Sequence, residues 1–184
     1  MQNPVPLRHT VRFNYDNHLG YEMLDGDIFP VPFPAVKHQS VALKVASALL
    51  QHVGTHKLGR VLPAPCSVIL SPKVVMNPDI LFIKNGRRGL IGETGLRGAP
   101  DLVIEILSPV TRKRDLEIKK KIYSRFEVQE YWVVDPDTNA AVTMVWSELG
   151  YISVGRYNRS GTLSSPLLPK LNLQLADIFE KESD

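Results

Sequence analysis

With 184 residues, 43% hydrophobic and 22% charged, the chain has the bulk for one domain with a proper core, too little for two, and an undisordered composition. A single cysteine, Cys66, excludes an internal disulfide framework, and no apolar run approaches the length of a membrane span, so a cytoplasmic protein is expected. Net charge is only +3, too small to argue for nucleic acid by itself, but Arg112, Lys113, Arg114, Lys119, Lys120, Lys121 and Arg125 crowd one short stretch.

In chain order, residues 1–20 are polar, contain prolines and read as a loosely held N-terminal arm to a single domain spanning 1–184. "YEMLDGDIFPVP" places Asp25-Gly26 between apolar residues, a short hairpin signal. From Val36 to Val53 the positions Val41, Val45, Ala48, Leu49 and Val53 follow helical spacing, with Gly54 as the stop. "GRVLPAPCSVIL" and "NPDILFIK" read as strands, the first interrupted by prolines, and "DLVIEIL" (101–107) is the next strong strand, ended by Ser108-Pro109. A lysine-bearing helix follows, "LEIKKKIYSRF" (116–126), then the strand "EYWVVDPD" and a hairpin of "AAVTMVWS" with "YISVGRYN". "LPKLNLQLADIF" closes the chain. The order predicts a mixed α/β domain.

Residues 84–100 carry glycine at 86, 89, 92, 95 and 98, a period too short-lived and proline-poor for a collagen helix. The stretch reads as a mobile loop, its Arg87, Arg88 and Arg97 available to a phosphate backbone. It lacks the Lys-Ser/Thr, or the strand–GxGxxG–helix context, of a nucleotide-phosphate loop.

Glu105 is the anomaly. It stands in "LVIEIL", a run that suits a strand buried on both faces, where a carboxylate needs a cation, a hydrogen-bond network or a wet cleft. Asp101 shares its face but lies about 13 Å away along the strand, too far to share one ion. A metal at Glu105 must draw its second carboxylate from another strand, and Asp79, opening "PDILFIK", is the best candidate. Two carboxylates with waters and a phosphate oxygen make an ordinary Mg²⁺ environment, able to activate water in phosphodiester hydrolysis.

On the helix, at about 100° per residue, Leu116, Ile122, Tyr123 and Phe126 span one broad face. Lys119 falls near its centre, Lys120 on its edge, and Lys121 points away. Lys119 therefore needs a carboxylate or bound phosphate to hold its charge, either the Asp79–Glu105 site or Asp115 one turn earlier.

These segments in this order, "YEMLDGDIF", His38 leading a helix, "NPDILFI", "GAPDLVIEILSP", "DLEIKKKIY", "VQEYWVVDP" and "LLPKLNLQLADIF", resemble the Uma2 family of the PD-(D/E)xK nuclease superfamily. The resemblance implies a restriction-endonuclease-like core, a central mixed β-sheet flanked by helices, and an Mg²⁺- or Mn²⁺-dependent endonuclease acting on DNA. It makes Asp79 and Glu105 the metal carboxylates. The superfamily lysine belongs two positions after the second carboxylate, where this chain has Leu107; the resemblance supplies it instead from the helix as Lys119, flanked by Asp115 and Tyr123. Asp101, Tyr123, His38 and Glu22 are further site neighbours, although Asp101 also fits a strand-start hydrogen bond, Glu22 a support for the Asp25-Gly26 turn, and His38 a satisfied core histidine. Arg112, Lys113, Arg114 and Lys120 are the expected nucleic-acid contacts, and a homodimer follows by analogy with nucleases that address two strands. Two other readings stay open: a noncatalytic nuclease-fold module that binds nucleic acid or mediates assembly, and a purely structural ion network of Asp79, Glu105 and Lys119.

Overall fold

Asp25 and Gly26 both take left-handed backbone angles, φ 55° and 97°. A two-residue turn needs this for its twist to match its strands, and it joins β1 (His18–Leu24) to β2 (Asp27–Pro32) with Leu24 opposite Asp27. The computed structural model describes residues 18–179. The expected arm therefore lies outside the described residues except for 18–20, which are strand. Helix α1 (Val36–Thr55) buries Val41, Val45, Ala46, Leu49 and Val53 on one stripe, and passes through Gly54 by one residue.

Prolines separate β3 (Gly59–Pro63) from β4 (Ser67–Ser71) as expected. β5 (Val74–Met76) is too short to show a pattern in sequence, and β6 (Ile80–Lys84) follows it. The glycine-rich stretch is not a mobile loop. It forms a 3₁₀ helix over Asn85–Leu90 and then β7 (Gly95–Arg97), which pairs in parallel with β4. Leu96 anchors it, fully buried with Val68, Leu81 and Ile83. The backbones of β7 and β4 approach so closely that a Cβ on Gly95 would stand 2.3 Å from the Ser67 carbonyl oxygen. Gly95→Ala is therefore expected to lose about 1–3 kcal/mol as β7 is pushed off β4. A urea titration checks this against Gly86→Ala, where a Cβ meets nothing within 4 Å.

β8 (Leu102–Ile106) is buried throughout, as is β9 (Glu130–Asp135), and between them runs a π-helical turn (Arg114–Lys119) continuing into α2 (Lys120–Arg125). β10 (Ala140–Val145), β11 (Ile152–Tyr157), the short β12 (Thr162–Leu163) and β13 (Leu173–Gln174), and α3 (Leu175–Ile178) complete the chain. A six-stranded mixed sheet runs β11-β10-β9-β8-β6-β3, with β8 and β9 parallel; a second, five-stranded sheet runs β2-β1-β5-β4-β7.

The six-stranded sheet is the central layer. On one face Ile80, Phe82, Leu102, Ile104, Ile106, Trp132 and Val134 pack against α1 and the segment from Leu163 to Phe179. On the other, Val103, Leu107, Tyr131 and Val133 meet Ile122 and Tyr123 of α2 and Leu24, Val74 and Met76 of the smaller sheet. The mixed α/β fold expected from the sequence is the one observed, with the second sheet as an addition. The pairings also define one edge of the central sheet: there β6 and β10 begin, and β8, β9 and β11 end.

Candidate active site

β6 and β8 are antiparallel with Ile80 opposite Ile104 and Leu81 opposite Val103. One step further along this register sets Asp79 opposite Glu105, a spacing that brings two Cβ atoms to about 5 Å. The Ile106 N–H donates to Asp79 Oδ2 at 2.7 Å, and His38 Nε2 of α1 stands 3.3 Å from the same oxygen. Asp79 keeps 21% of its side chain exposed, while that of Glu105 keeps 3%.

Lys119 reaches this pair from the helix. Its Nζ lies 2.9 Å from Glu105 Oε1, 2.9 Å from Glu22 Oε1 and 3.4 Å from Asp115 Oδ1. The Tyr123 hydroxyl donates to Glu105 Oε1 at 2.8 Å, so both donors share one oxygen and leave Oε2 to neither. Ser108 holds the turn that leads into the helix, its Oγ accepting the Thr111 N–H. The π turn keeps Asp115 and Lys119 inward but rotates Leu116 out of the face predicted for it, to 37% exposure. Lys120 is half-buried and Lys121 exposed.

Glu22 does not support the Asp25-Gly26 turn. It is 1% exposed and belongs to the cluster, its Oε1 also accepting the Asn77 N–H at 2.9 Å. Asn77 is itself held by Ser67 Oγ and the Tyr21 carbonyl, which fixes the approach to Asp79 two residues later. Asn77 was not singled out from the sequence, since no local signal separates it from an ordinary turn asparagine.

Asp101 lies at the opposite end of β8. There it accepts from the Lys84 N–H and from Arg87 Nη1, at 2.8 Å and 2.9 Å, so it closes a strand start and not the site. Arg87 and Arg88, the latter reaching the Gly59 carbonyl, sit at that far edge too. Arg112 pairs with Asp135 at 2.8 Å at the site edge, and Lys113 is exposed. Arg114 turns inward: it donates to the Pro30 carbonyl, lies over the Phe29 ring and approaches Glu22 Oε2 at 3.7 Å, which leaves it little surface for a phosphate backbone. Glu130, a second carboxylate in an apolar strand, accepts from Trp132 Nε1, Ser165 Oγ and the Leu167 N–H at the far edge and is structurally satisfied.

Electrostatics follow from an excess of acids. Burial pushes the Glu105 carboxyl well above the ordinary carboxylate range; Lys119 pulls it back, and Asp115, Asp79 and Glu22 add to the rise. Asp115 is raised by burial against the same pull from Lys119. Burial opposes the Lys119 charge, yet Glu105, Glu22 and Asp115 together hold it well above a usual lysine. His38 loses to burial but gains more from Asp79 and the Ile106 backbone, and is raised.

An acid whose folded pKa exceeds its unfolded value binds more protons when folded, so its stabilising contribution falls as pH rises above the unfolded value. A raised histidine contributes fully below its unfolded value and loses this as pH climbs through the folded one. Glu105, Asp115 and His38 thus act in the same direction. The metal-free protein is expected to lose stability as pH rises from the ordinary carboxylate range, about 4, through that of histidine, about 6.5, by up to about 1.4 kcal/mol per pH unit for each proton taken up. Urea midpoints across this range check it, and Glu105→Gln should flatten the slope.

Among the described residues, no group of three or more His, Cys, Asp and Glu side chains is spaced to hold an ion alone. The donor set nonetheless fits a hard divalent cation that keeps several waters. Asp79 and Glu105 face each other, three carboxylates surround one lysine, and Glu22 Oε2 and Asp115 Oδ1 are buried with no hydrogen-bond donor.

A family model described as "Uma2: Putative restriction endonuclease" matches residues 13–176. The structure is similar to the crystal structure of "a putative nuclease belonging to DUF820" from Anabaena variabilis ATCC 29413, with a TM-score of 0.73 and 20% identity over 86% of this chain and 89% of that one. At that identity the likeness is one of fold. No curated protein matches the chain. No helix among the described residues is long and apolar enough to cross a membrane.

Proposed function

The chain belongs to the Uma2 family of restriction-endonuclease-like proteins, and from that premise we propose that it is a divalent-cation-dependent nuclease hydrolysing phosphodiester bonds of DNA. One observation carries the reading: Lys119 Nζ lies 2.9 Å from Glu105, and Asp79 falls opposite Glu105 by register, although position 107 is a buried leucine. Asp79 and Glu105 would hold Mg²⁺ or Mn²⁺, which supplies an activated water and neutralises phosphate charge when bound. The Ile106 N–H and His38 fix Oδ2 of Asp79, and Lys119 and Tyr123 fix Oε1 of Glu105, so both carboxylates are oriented in advance. Lys119 keeps a positive charge beside the reacting group, the part played by the lysine missing at Leu107. Asp79 is the more open of the two carboxylates and marks the side of entry. Arg112, Lys113 and Lys120 contribute backbone contacts that weaken with salt. A homodimer presenting two such centres completes the proposal, and sedimentation tests it.

Cleavage of single-stranded, duplex and branched DNA with Mg²⁺ or Mn²⁺, beside Glu105→Gln, is the test. Metal-dependent cleavage reduced at least about 100-fold in the variant is expected; equal cleavage by both contradicts the reading. The closure of Lys119 among three carboxylates favours one alternative, a nuclease-fold module that binds nucleic acid without turnover. It predicts salt-sensitive DNA binding, no cleavage by any form, and little effect of Glu105→Gln on binding.

A further inference from the structure

The edge of the central sheet that carries Asp79 and Ile106 continues past β9 and β10 to the end of β11. There the turns 136–139 and 158–161 flank a groove of about 450 Å³ lined by Thr138, Asn139, Asn158, Arg159, Ser160 and Ala176. None of these residues is acidic. Arg159 takes part in no ion pair among the described residues, and its Nε is buried without an acceptor. A buried N–H with no partner is uncommon in a folded protein and marks a place that a ligand oxygen can complete. The Asn158 side-chain oxygen is already taken by the Ser160 N–H and hydroxyl, which leaves its amide N–H groups as further donors.

Two cations along this edge are paired, Arg112 with Asp135 at 2.8 Å and Lys37 with Asp137 at 3.6 Å. Arg159 is not. The pairings place Tyr157 beside Ala141, Ala140 beside Asp135 and Val134 beside Ile106, so the groove is three strand spacings from the end of β8. At about 4.8 Å each, this is roughly 14 Å. One nucleic-acid strand advances about 3.4 Å per nucleotide, so the separation corresponds to about four steps.

We propose that the groove around Arg159 is a noncatalytic phosphate site that holds a backbone phosphate of the bound strand about four nucleotides from the scissile one. The inference rests on the nuclease reading of the Asp79–Glu105 centre and adds the path of the substrate to it. Its chemistry is that of a guanidinium and amide donors toward a phosphodiester, so it fixes position without reading sequence.

The test is binding of labelled DNA to the full chain by fluorescence anisotropy, with chelator present so that nothing is cut, across a salt series. One DNA spans both places and a second ends short of the groove. Arg159→Gln should weaken the long DNA several-fold, lower its salt slope by roughly one, and leave the short DNA unchanged. Arg159→Lys should recover much of the loss, and Ser160→Asp, which sets an acid in the groove, should reproduce it. Unchanged binding of the long DNA by Arg159→Gln, or equal losses on both lengths, overturns the inference. A calorimetric arm uses inorganic phosphate alone; phosphate binding lost in Arg159→Gln with long-DNA binding intact assigns the groove to a free phosphate and overturns the backbone assignment. If the wild type binds no DNA at all, the nuclease reading falls and takes this site with it. If it binds DNA but ignores Arg159, this site alone falls.

Discussion

Lys119→Met is expected to lower stability by about 3–5 kcal/mol, because it leaves buried carboxylates without their cation. Glu22, Glu105 and Asp115 are each at most 2% exposed, and all three converge on Nζ. Arg114, 3.7 Å from Glu22, is too distant to replace it. Lys121→Met, two residues along on the exposed side, should change stability by no more than about 0.5 kcal/mol. Urea denaturation of both variants separates an inward lysine from a solvated one. A double variant with Glu105→Gln should recover part of the loss, since the two residues share one interaction. Equal stabilities for the two single lysine variants would mean that the ion cluster does not support the fold.

Asp79→Asn should do the opposite, removing activity and sparing the fold. The amide oxygen of asparagine can still accept the Ile106 N–H, and the site keeps its other acids, so stability should move by less than about 1 kcal/mol. Metal-dependent cleavage should fall by more than about 100-fold, because even the partners of metal ligands are worth 10–100-fold in affinity. Thermal melts and cleavage rates on the same preparations give both readouts. A variant that cuts normally, or one that unfolds, would place Asp79 among structural residues.

Local chemistry made much of this legible in the sequence. Asp25-Gly26 allows the left-handed angles of a tight hairpin, and the stripe from Val41 to Val53 repeats at helical spacing, so both elements could be named without knowing their neighbours. Lys119 was found the same way, as the lysine on the apolar side of its helix. The π turn altered the detail, exposing Leu116, but kept Lys119 inward.

What the sequence hid depends on contacts between distant segments. Period-two alternation in "LGYEML" does not say which side faces the core; Glu22 is buried and Tyr21 is 57% exposed, the reverse of what polarity suggests. Glycines at every third position looked mobile, but Leu96 between them is pinned by β4 and β6. Glu105 and Glu130 are equally out of place in apolar strands. Only the register, which sets one at the Asp79 edge and the other beside Ser165, separates the site acid from the structural one.

Titration of the metal-free protein with Mn²⁺ by calorimetry, beside Asp79→Asn and Glu105→Gln, tests the metal centre most directly. Binding by the wild type that is lost in both variants is the predicted result. No binding by the wild type, or equal binding by all three, would contradict a metal site at Asp79 and Glu105 and leave Lys119 and its carboxylates as a closed structural network.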